Sequence, residues 1–389
     1  MSNKHDLAGR MEGIQPFYVM DLLAYARKLE AQGRQIIHME IGEPDFPTAE
    51  PIRQAAQATL ETNPIHYTAA LGLPELRQAI SDFYQQRYQL NIPASRIVIT
   101  PGASGALQLV TGILINAGDA VLMADPGYPC NRHFVRLFEG KAISVPVGAD
   151  THYQLDKALL EQYWADKTRA VLIASPSNPT GSLIPVEQLR EIHSLVQQRD
   201  AVLIVDEIYH GLTYAEQPRS ALELGDSVFV INSFSKYFGM TGWRLGWIVA
   251  PEWAIDDLDR LAQNLFLAPP TLSQHAALAA FRPDTVKILE ERRLAFKERR
   301  DYLVPALRSL GFGIPEEPQG AFYIYANSSR FSNDSFSFCR QLLDDIGVAI
   351  TPGKDFGTHG AADHVRFAYT SDMDKLEEGV SRLKDYLGV

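Results

Sequence analysis

The sequence predicts an α/β fold: a large domain with a mostly parallel sheet covered by helices, and a smaller α+β domain formed by the N- and C-terminal segments. Three observations predict it. Short apolar runs recur through the first two thirds of the chain: "RIVIT" (96–100), "AVLMA" (120–124), "AVLIA" (170–174), "AVLIV" (201–205), "VFVIN" (228–232) and "LGWIVA" (245–250). Stretches with helical spacing lie between them. After about residue 283 the runs give way to a long amphipathic stretch.

The apolar runs are rich in Val and Ile and do not alternate with polar residues, so both of their faces are expected to be covered, as in a parallel sheet. Leu76, Ile80, Phe83 and Tyr84 follow i, i+4, i+7, i+8 spacing, and Leu189, Ile192 and Val196 follow i, i+3, i+7, which predicts a helix at each place. Strands alternating with helices build a sheet with helices on both faces. "DTVKILEERRLAFKERRDYLVPALRSLG" predicts one long helix near 284–310, with Asp284 as its cap and Gly311 just past its end. Strand-like "GAFYIYA" and "HVRFAYT" follow, with a helix near 334–345. The expected division is a large domain at 46–283 and a small one at 1–45 and 284–389, joined by the long helix. A length of 389 residues suits two domains at roughly 100–200 residues each.

Composition narrows the function classes. The net charge is −11, so the chain has no general attraction for nucleic acid or anionic membrane, and a site for an anion must be built locally from a few cations. Two distant cysteines, Cys130 and Cys339, form neither a disulfide framework nor a metal-ligand spacing, and no metal is expected. No stretch reaches the ~20 apolar residues of a membrane span, and the N-terminus lacks the apolar run of a signal peptide, so a cytoplasmic protein is the expectation.

In an open α/β sheet, ligands bind at the carboxyl ends of the strands. The residues that follow the runs are therefore the candidates: "PGASGAL", "DPGYP", "SPSNPTG", Asp206 with Tyr209, and "SFSKYFGMTGWR". Gly102 and Gly105 would let backbone approach an anion at a helix N-terminus, although the same turn also reads as a plain helix start. Asp206 ends an apolar run, as a turn residue or as a buried carboxylate in need of a cation. Lys236 follows a buried strand and stands among Phe234, Tyr237 and Phe238, and desolvation with a nearby cation would lower its pKa and free the amine for a Schiff base. Arg244, eight residues on, would supply that cation and grip a phosphate.

These motifs, with "GEPDF", "HYTAALGLPELRQAI", "DEIY" and "HVRFAY" in the same order, resemble the class I/II aminotransferases among the fold-type I pyridoxal-phosphate (PLP) enzymes, from about Ile14 to nearly the C-terminus. The resemblance implies a seven-stranded sheet, PLP as cofactor and amino-group transfer between an α-amino acid and a 2-oxo acid by a ping-pong mechanism. It implies that Lys236 holds PLP as an internal aldimine and shuttles the proton, and that Asp206 pairs with the pyridine nitrogen. Tyr209 and Asn178 would bond the ring 3′-oxygen, and Tyr128 would stack on the ring. Ala103, Ser104, Ser233 and Arg244 would hold the phosphate, with Tyr67 reaching that of the neighbouring subunit in a homodimer. Arg366 would clamp the substrate α-carboxylate with help from Asn178, and Gly42 would let the N-terminal segment close over it.

The match thins in two places. Asn131 stands where many aspartate aminotransferases carry a histidine that supports the pyridine-binding aspartate. No Lys or Arg occurs in 102–131 to read a second carboxylate, though Arg132, Arg136 or a cation of the other subunit remain candidates. The region 13–20, with Ile14, Phe17 and Tyr18, is expected to line an apolar or aromatic side-chain pocket. A C–S β-lyase or another fold-type I enzyme would share the same cofactor residues. A transcription regulator would carry a DNA-binding domain ahead of the fold. A dinucleotide-dependent dehydrogenase would need a GxGxxG turn, which is absent.

Overall fold

The computed structural model describes residues 8–14, 16–215 and 218–389. The first seven residues, assigned to the small domain on sequence, lie outside the described residues. Strand β1 (Ile37–His38) opens the fold. Seven strands then form one sheet: β2 (Ile97–Thr100), β3 (Ala120–Asp125), β4 (Lys141–Pro146), β5 (Thr168–Ala174), β6 (Val202–Asp206), β7 (Phe229–Ser233) and β8 (Gly246–Val249), in the order β2-β8-β7-β6-β5-β3-β4. β8 runs antiparallel to both its neighbours, and the other pairings are parallel.

Successive residues of a strand face opposite sides of the sheet, and here both sides are core. Leu122, Val171 and Leu203 join one buried cluster, whereas Val121, Leu172 and Ile204 join the other. That double burial is why the runs show no alternation. β4 was not among the six runs. It is an edge strand with Lys141 and Ser144 exposed, so its sequence carries no continuous apolar signal.

The chain ends build the smaller part. β1 pairs in parallel with β10 (Val348–Ala349). β11 (Thr351–Pro352) and β9 (Tyr323–Asn327) flank β12 (His364–Ala368) in a three-stranded antiparallel sheet. The helix Ser335–Ile346 and the C-terminal helix Met373–Leu387 cover these strands. The long helix runs Pro283–Leu310 and stops at Gly311. Asp284 is not its cap residue, contrary to the expectation: Arg282 occupies that position and Pro283 the first turn. Proline suits that turn because its missing N–H would have been unpaired there anyway. Asp284 sits within the turn, where a negative charge favours the helix dipole. Arg299 of this helix grips Asp45 through two hydrogen bonds of 2.8 and 2.9 Å, and so tethers the "GEPDF" loop.

His38 of β1 lies between Glu40, 2.7 Å from Nδ1, and Glu30, 3.1 Å from Nε2. The hydrogen bond to Glu40 is the main cause of a pKa raised to about 9; burial opposes it and Glu30 adds to it. A raised folded pKa stabilises the fold fully below the ordinary value of 6.5, and the benefit is lost as pH rises through about 9. Urea unfolding should therefore show the wild type losing more stability than His38→Gln between about pH 7 and 9.5.

Candidate active site

One cavity of about 300 Å³ opens at the carboxyl ends of β5, β6 and β7 and reaches the smaller part of the fold. The strands end there, and the polar residues that follow them point into shared space. Lys236 lies three residues beyond β7, with its Nζ donating to Gly42 O at 2.6 Å. The amine stands over the rings of Tyr209 and Phe322, at 5.7 and 5.6 Å from their centroids. Burial, then the charge of Arg366, bring its pKa down to about 8; Arg244 lowers it further, while Glu43 and Asp206 oppose. Asp206 ends β6, buried, and burial pushes its carboxyl up to about 6 against the pull of the Ile208 N–H (3.0 Å) and of Lys236. The site thus holds an amine and a carboxyl whose pKa values have been drawn toward each other from 10.5 and 3.8.

Arg366 projects from β12 and is also buried. Its NH1 donates to Asn178 Oδ1 at 2.9 Å, and its NH2 to Glu40 O at 2.6 Å and Thr351 Oγ1 at 3.2 Å. Its Nε has no hydrogen-bond partner among the described residues. The guanidinium lies over Tyr323 and Phe356, at 4.2 and 4.8 Å from their centroids. Tyr209 shares a 2.9 Å hydrogen bond with Tyr323, hydroxyl to hydroxyl. A Cβ on Gly42 would lie 2.2 Å from the Tyr323 hydroxyl, so this loop packs against the site only because it carries no side chain there.

The helix Gly102–Leu114 starts at the cavity, and Ala103 and Ser104 in its first turn line it. The first N–H groups of a helix lack intrahelical partners and carry partial positive charge. Arg244 lines the same wall, with its NH1 held by Thr241 O at 3.0 Å. Helix and strand meet closely: a Cβ on Gly246 would come within 2.8 Å of Ala103 N and of Gly102 C. The result is a cradle for an anion.

Not every expected residue reaches the cavity. Lys236, Asp206, Tyr209, Asn178, Tyr128, Ala103, Ser104, Arg244, Gly42 and Arg366 do. Ser233 does not line it: its hydroxyl lies 3.1 Å from the acceptor Leu245 O and 2.9 Å from Ser235 Oγ, and Ser235 lines the wall instead. Tyr67 is 81% exposed and lies outside. Of the region 13–20, Phe17, Val19 and Met20 line the cavity, whereas Ile14 and Tyr18 do not and Gln15 lies outside the described residues; Tyr18 packs on Phe336 at 5.0 Å. Val19, Met20 and Leu23, on one face of the helix Tyr18–Ala31, complete that apolar wall. Arg132 and Arg136 hold the backbone carbonyls of Asp355 and Gly13 and do not line it. Asn131 is buried, and its Oδ1 has no hydrogen-bond partner among the described residues. Tyr323, Asp355 and Phe356 were missed. Tyr323 sits in an apolar strand that reads as core, and nothing local marks the other two.

The family model for aminotransferases of class I and II matches residues 34–383. The chain belongs to this family. Its members move an amino group between an amino acid and a 2-oxo acid, and this aminotransferase is an enzyme of that class. It is 39% identical to a valine–pyruvate aminotransferase of Mycobacterium tuberculosis over 96% of this chain and 97% of the relative. An aspartate aminotransferase of Sulfolobus acidocaldarius is 33% identical, over 93% and 92%. Among solved structures, an aminotransferase from Mycobacterium tuberculosis superposes with a TM-score of 0.96 at 38% identity, covering 99% of this chain and 100% of that one. The sequence reading of an α/β aminotransferase therefore holds, and the lyase, regulator and dehydrogenase readings give way to it.

The Gly246 contacts are all with backbone, which has no rotamer to yield. Gly246→Ala should lower the unfolding free energy of this aminotransferase by ~1–3 kcal/mol in urea titration.

Proposed function

We propose that this aminotransferase binds PLP in the cavity and transfers the amino group of apolar α-amino acids. The observation that carries the cofactor is the pairing of Lys236, with its pKa near 8, with buried Asp206 in one cavity that ends in an anion cradle. That donor set fits a phosphorylated pyridine aldehyde group by group. The amine suits the aldehyde, and Asp206 suits a protonated ring nitrogen. Tyr209 and Asn178 suit the ring oxygen, and Tyr128 suits the ring face. Ala103, Ser104, Ser235 and Arg244 suit the phosphate. When bound, the protonated ring supplies an electron sink that makes the substrate Cα proton acidic.

The chain's own residues do the rest. Arg366 holds the α-carboxylate, and its unpartnered Nε leaves a donor for it. Asn178, already bonded to Arg366, keeps that guanidinium oriented. Lys236 Nζ, its pKa brought down to about 8 by burial and by Arg366, would take the Cα proton and return it on the far side of the amino nitrogen. Enclosure by the N-terminal helix keeps bulk water from competing for that proton.

Substrate class follows from the walls. Phe17, Val19, Met20, Leu23, Ile41 and Leu107 are apolar, and the cations lining the cavity among the described residues are Lys236, Arg244 and Arg366, each with a task already. This favours a neutral apolar side chain over a second carboxylate, in keeping with the valine–pyruvate relative. Exposed Tyr67, with exposed Ile65, Leu265 and Leu267, supports a homodimer in which Tyr67 reaches the partner's phosphate site. The unpaired Cys130 and Cys339 support a cytoplasmic location.

Borohydride reduction of the PLP-loaded enzyme should fix the cofactor mass on the peptide carrying Lys236, and Lys236→Ala should carry none. Single turnovers without acceptor should release the 2-oxo acid from valine, leucine and phenylalanine much faster than from aspartate; the reverse order would overturn the apolar reading. Arg366→Lys should raise KM for all these donors by about 10–100-fold, since a point charge replaces a planar fork.

A further inference from the structure

The apolar wall is carried by the helix Tyr18–Ala31, and the start of that helix is held from far away in sequence. The residue before it, Phe17, has no side-chain oxygen, and the helix has no cap of its own. Instead the Tyr18 N–H donates to Asp355 Oδ1 and the Val19 N–H to Asp355 Oδ2, both at 2.8 Å. Asp355 is buried and lines the cavity.

Asp355 is tied on its other sides as well. Its carbonyl accepts from Arg132 NH2 at 2.8 Å, and the next carbonyl, of Phe356, accepts from the Gly127 N–H at 2.9 Å. Both partners flank Tyr128 in the large domain. The Phe356 ring faces the Arg366 guanidinium at 4.8 Å. One short segment thus joins the N-terminal helix, the Tyr128 loop and the carboxylate-binding arginine.

We infer that Asp355 is a positioning residue that sets the depth of the substrate side-chain pocket by capping the helix that forms its apolar wall. A carboxylate that takes two N–H groups at a helix start forms charge-assisted bonds and meets the positive end of the helix dipole. Val19 and Met20 lie in the turn so held, and Leu23 one turn on. Without the cap that turn frays, and the wall recedes from any side chain long enough to touch it. Alanine is too short to reach the wall and is spared. The inference rests on the reading of this wall as the side-chain pocket.

The test compares the PLP-loaded wild type with Asp355→Ala, Asp355→Asn and Leu23→Ala, measuring kcat/KM for leucine and for alanine with one common 2-oxo acid. The ratio of the two is independent of the active fraction, so a loss of stability alone does not move it. In Asp355→Ala the leucine-to-alanine ratio should fall about tenfold, through KM for leucine. Asp355→Asn keeps one acceptor and should fall between, and it decides the matter if the alanine variant does not fold. Hydrogen exchange of the Tyr18 and Val19 amides should speed up in both. An unchanged ratio and unchanged exchange in the Asp355 variants, with a lowered ratio in Leu23→Ala, overturns the role of Asp355 and leaves the pocket reading standing. An unchanged ratio in all three overturns the pocket reading and this inference with it.

Discussion

The guanidinium of Arg366 is the contact on which the site depends. It bonds Asn178 at the end of the large sheet, the Glu40 carbonyl beside β1 and Thr351 of β11, and it lies between the rings of Tyr323 and Phe356. A buried guanidinium needs hydrogen-bond partners, and NH1 and NH2 find theirs in separate parts of the chain drawn to one point, which leaves Nε without one among the described residues. The same charge helps to lower the pKa of Lys236. Position and reactivity therefore come from one residue.

Burial treats the two acids of "DEIY" alike but gives them different surroundings. Asp206 faces the cavity and the amine of Lys236, and its pKa is pushed up to about 6. Glu207, its neighbour, does not line the cavity. Burial pushes it to about 8, while the Ala221 N–H at 2.7 Å and the Ser220 hydroxyl draw it down. Glu207 serves the packing behind the site, while Asp206 lines the cavity with Lys236. Adjacent residues on a strand end face opposite ways, and that alone separates a chemical role from a structural one.

A net charge of −11 does not reach the cavity as such. Among the described residues three cations line it, Lys236, Arg244 and Arg366, with three acids, Asp206, Glu40 and Asp355, of which Glu40 is held by His38 and Asp355 by the start of the helix Tyr18–Ala31. An acidic protein can thus gather cations locally in one cavity.

Much of this was legible in the sequence, for reasons of range. Strands buried on both faces write continuous apolar runs, helices write a period near four, and both signals are local; so six of the seven strands, the long helix and the strand-end residues Asp206, Asn178 and Lys236 could be read directly. β4 escaped because an edge strand is half exposed, and Asp284 was misplaced because the proline before it took the first turn. Ser235 rather than Ser233 lines the cavity because of how the backbone turns after β7, which residue type does not encode. Resemblance to a family carried the role of Arg366, whereas Arg244 was read from its place eight residues after Lys236. Only the tertiary structure could bring Asp355 to the start of a helix 337 residues earlier, or turn Arg132 and Arg136 away from the cavity onto backbone carbonyls. A carboxylate's partner is chosen by which N–H groups the fold leaves unpaired within reach, and that is a property of the packed chain as a whole.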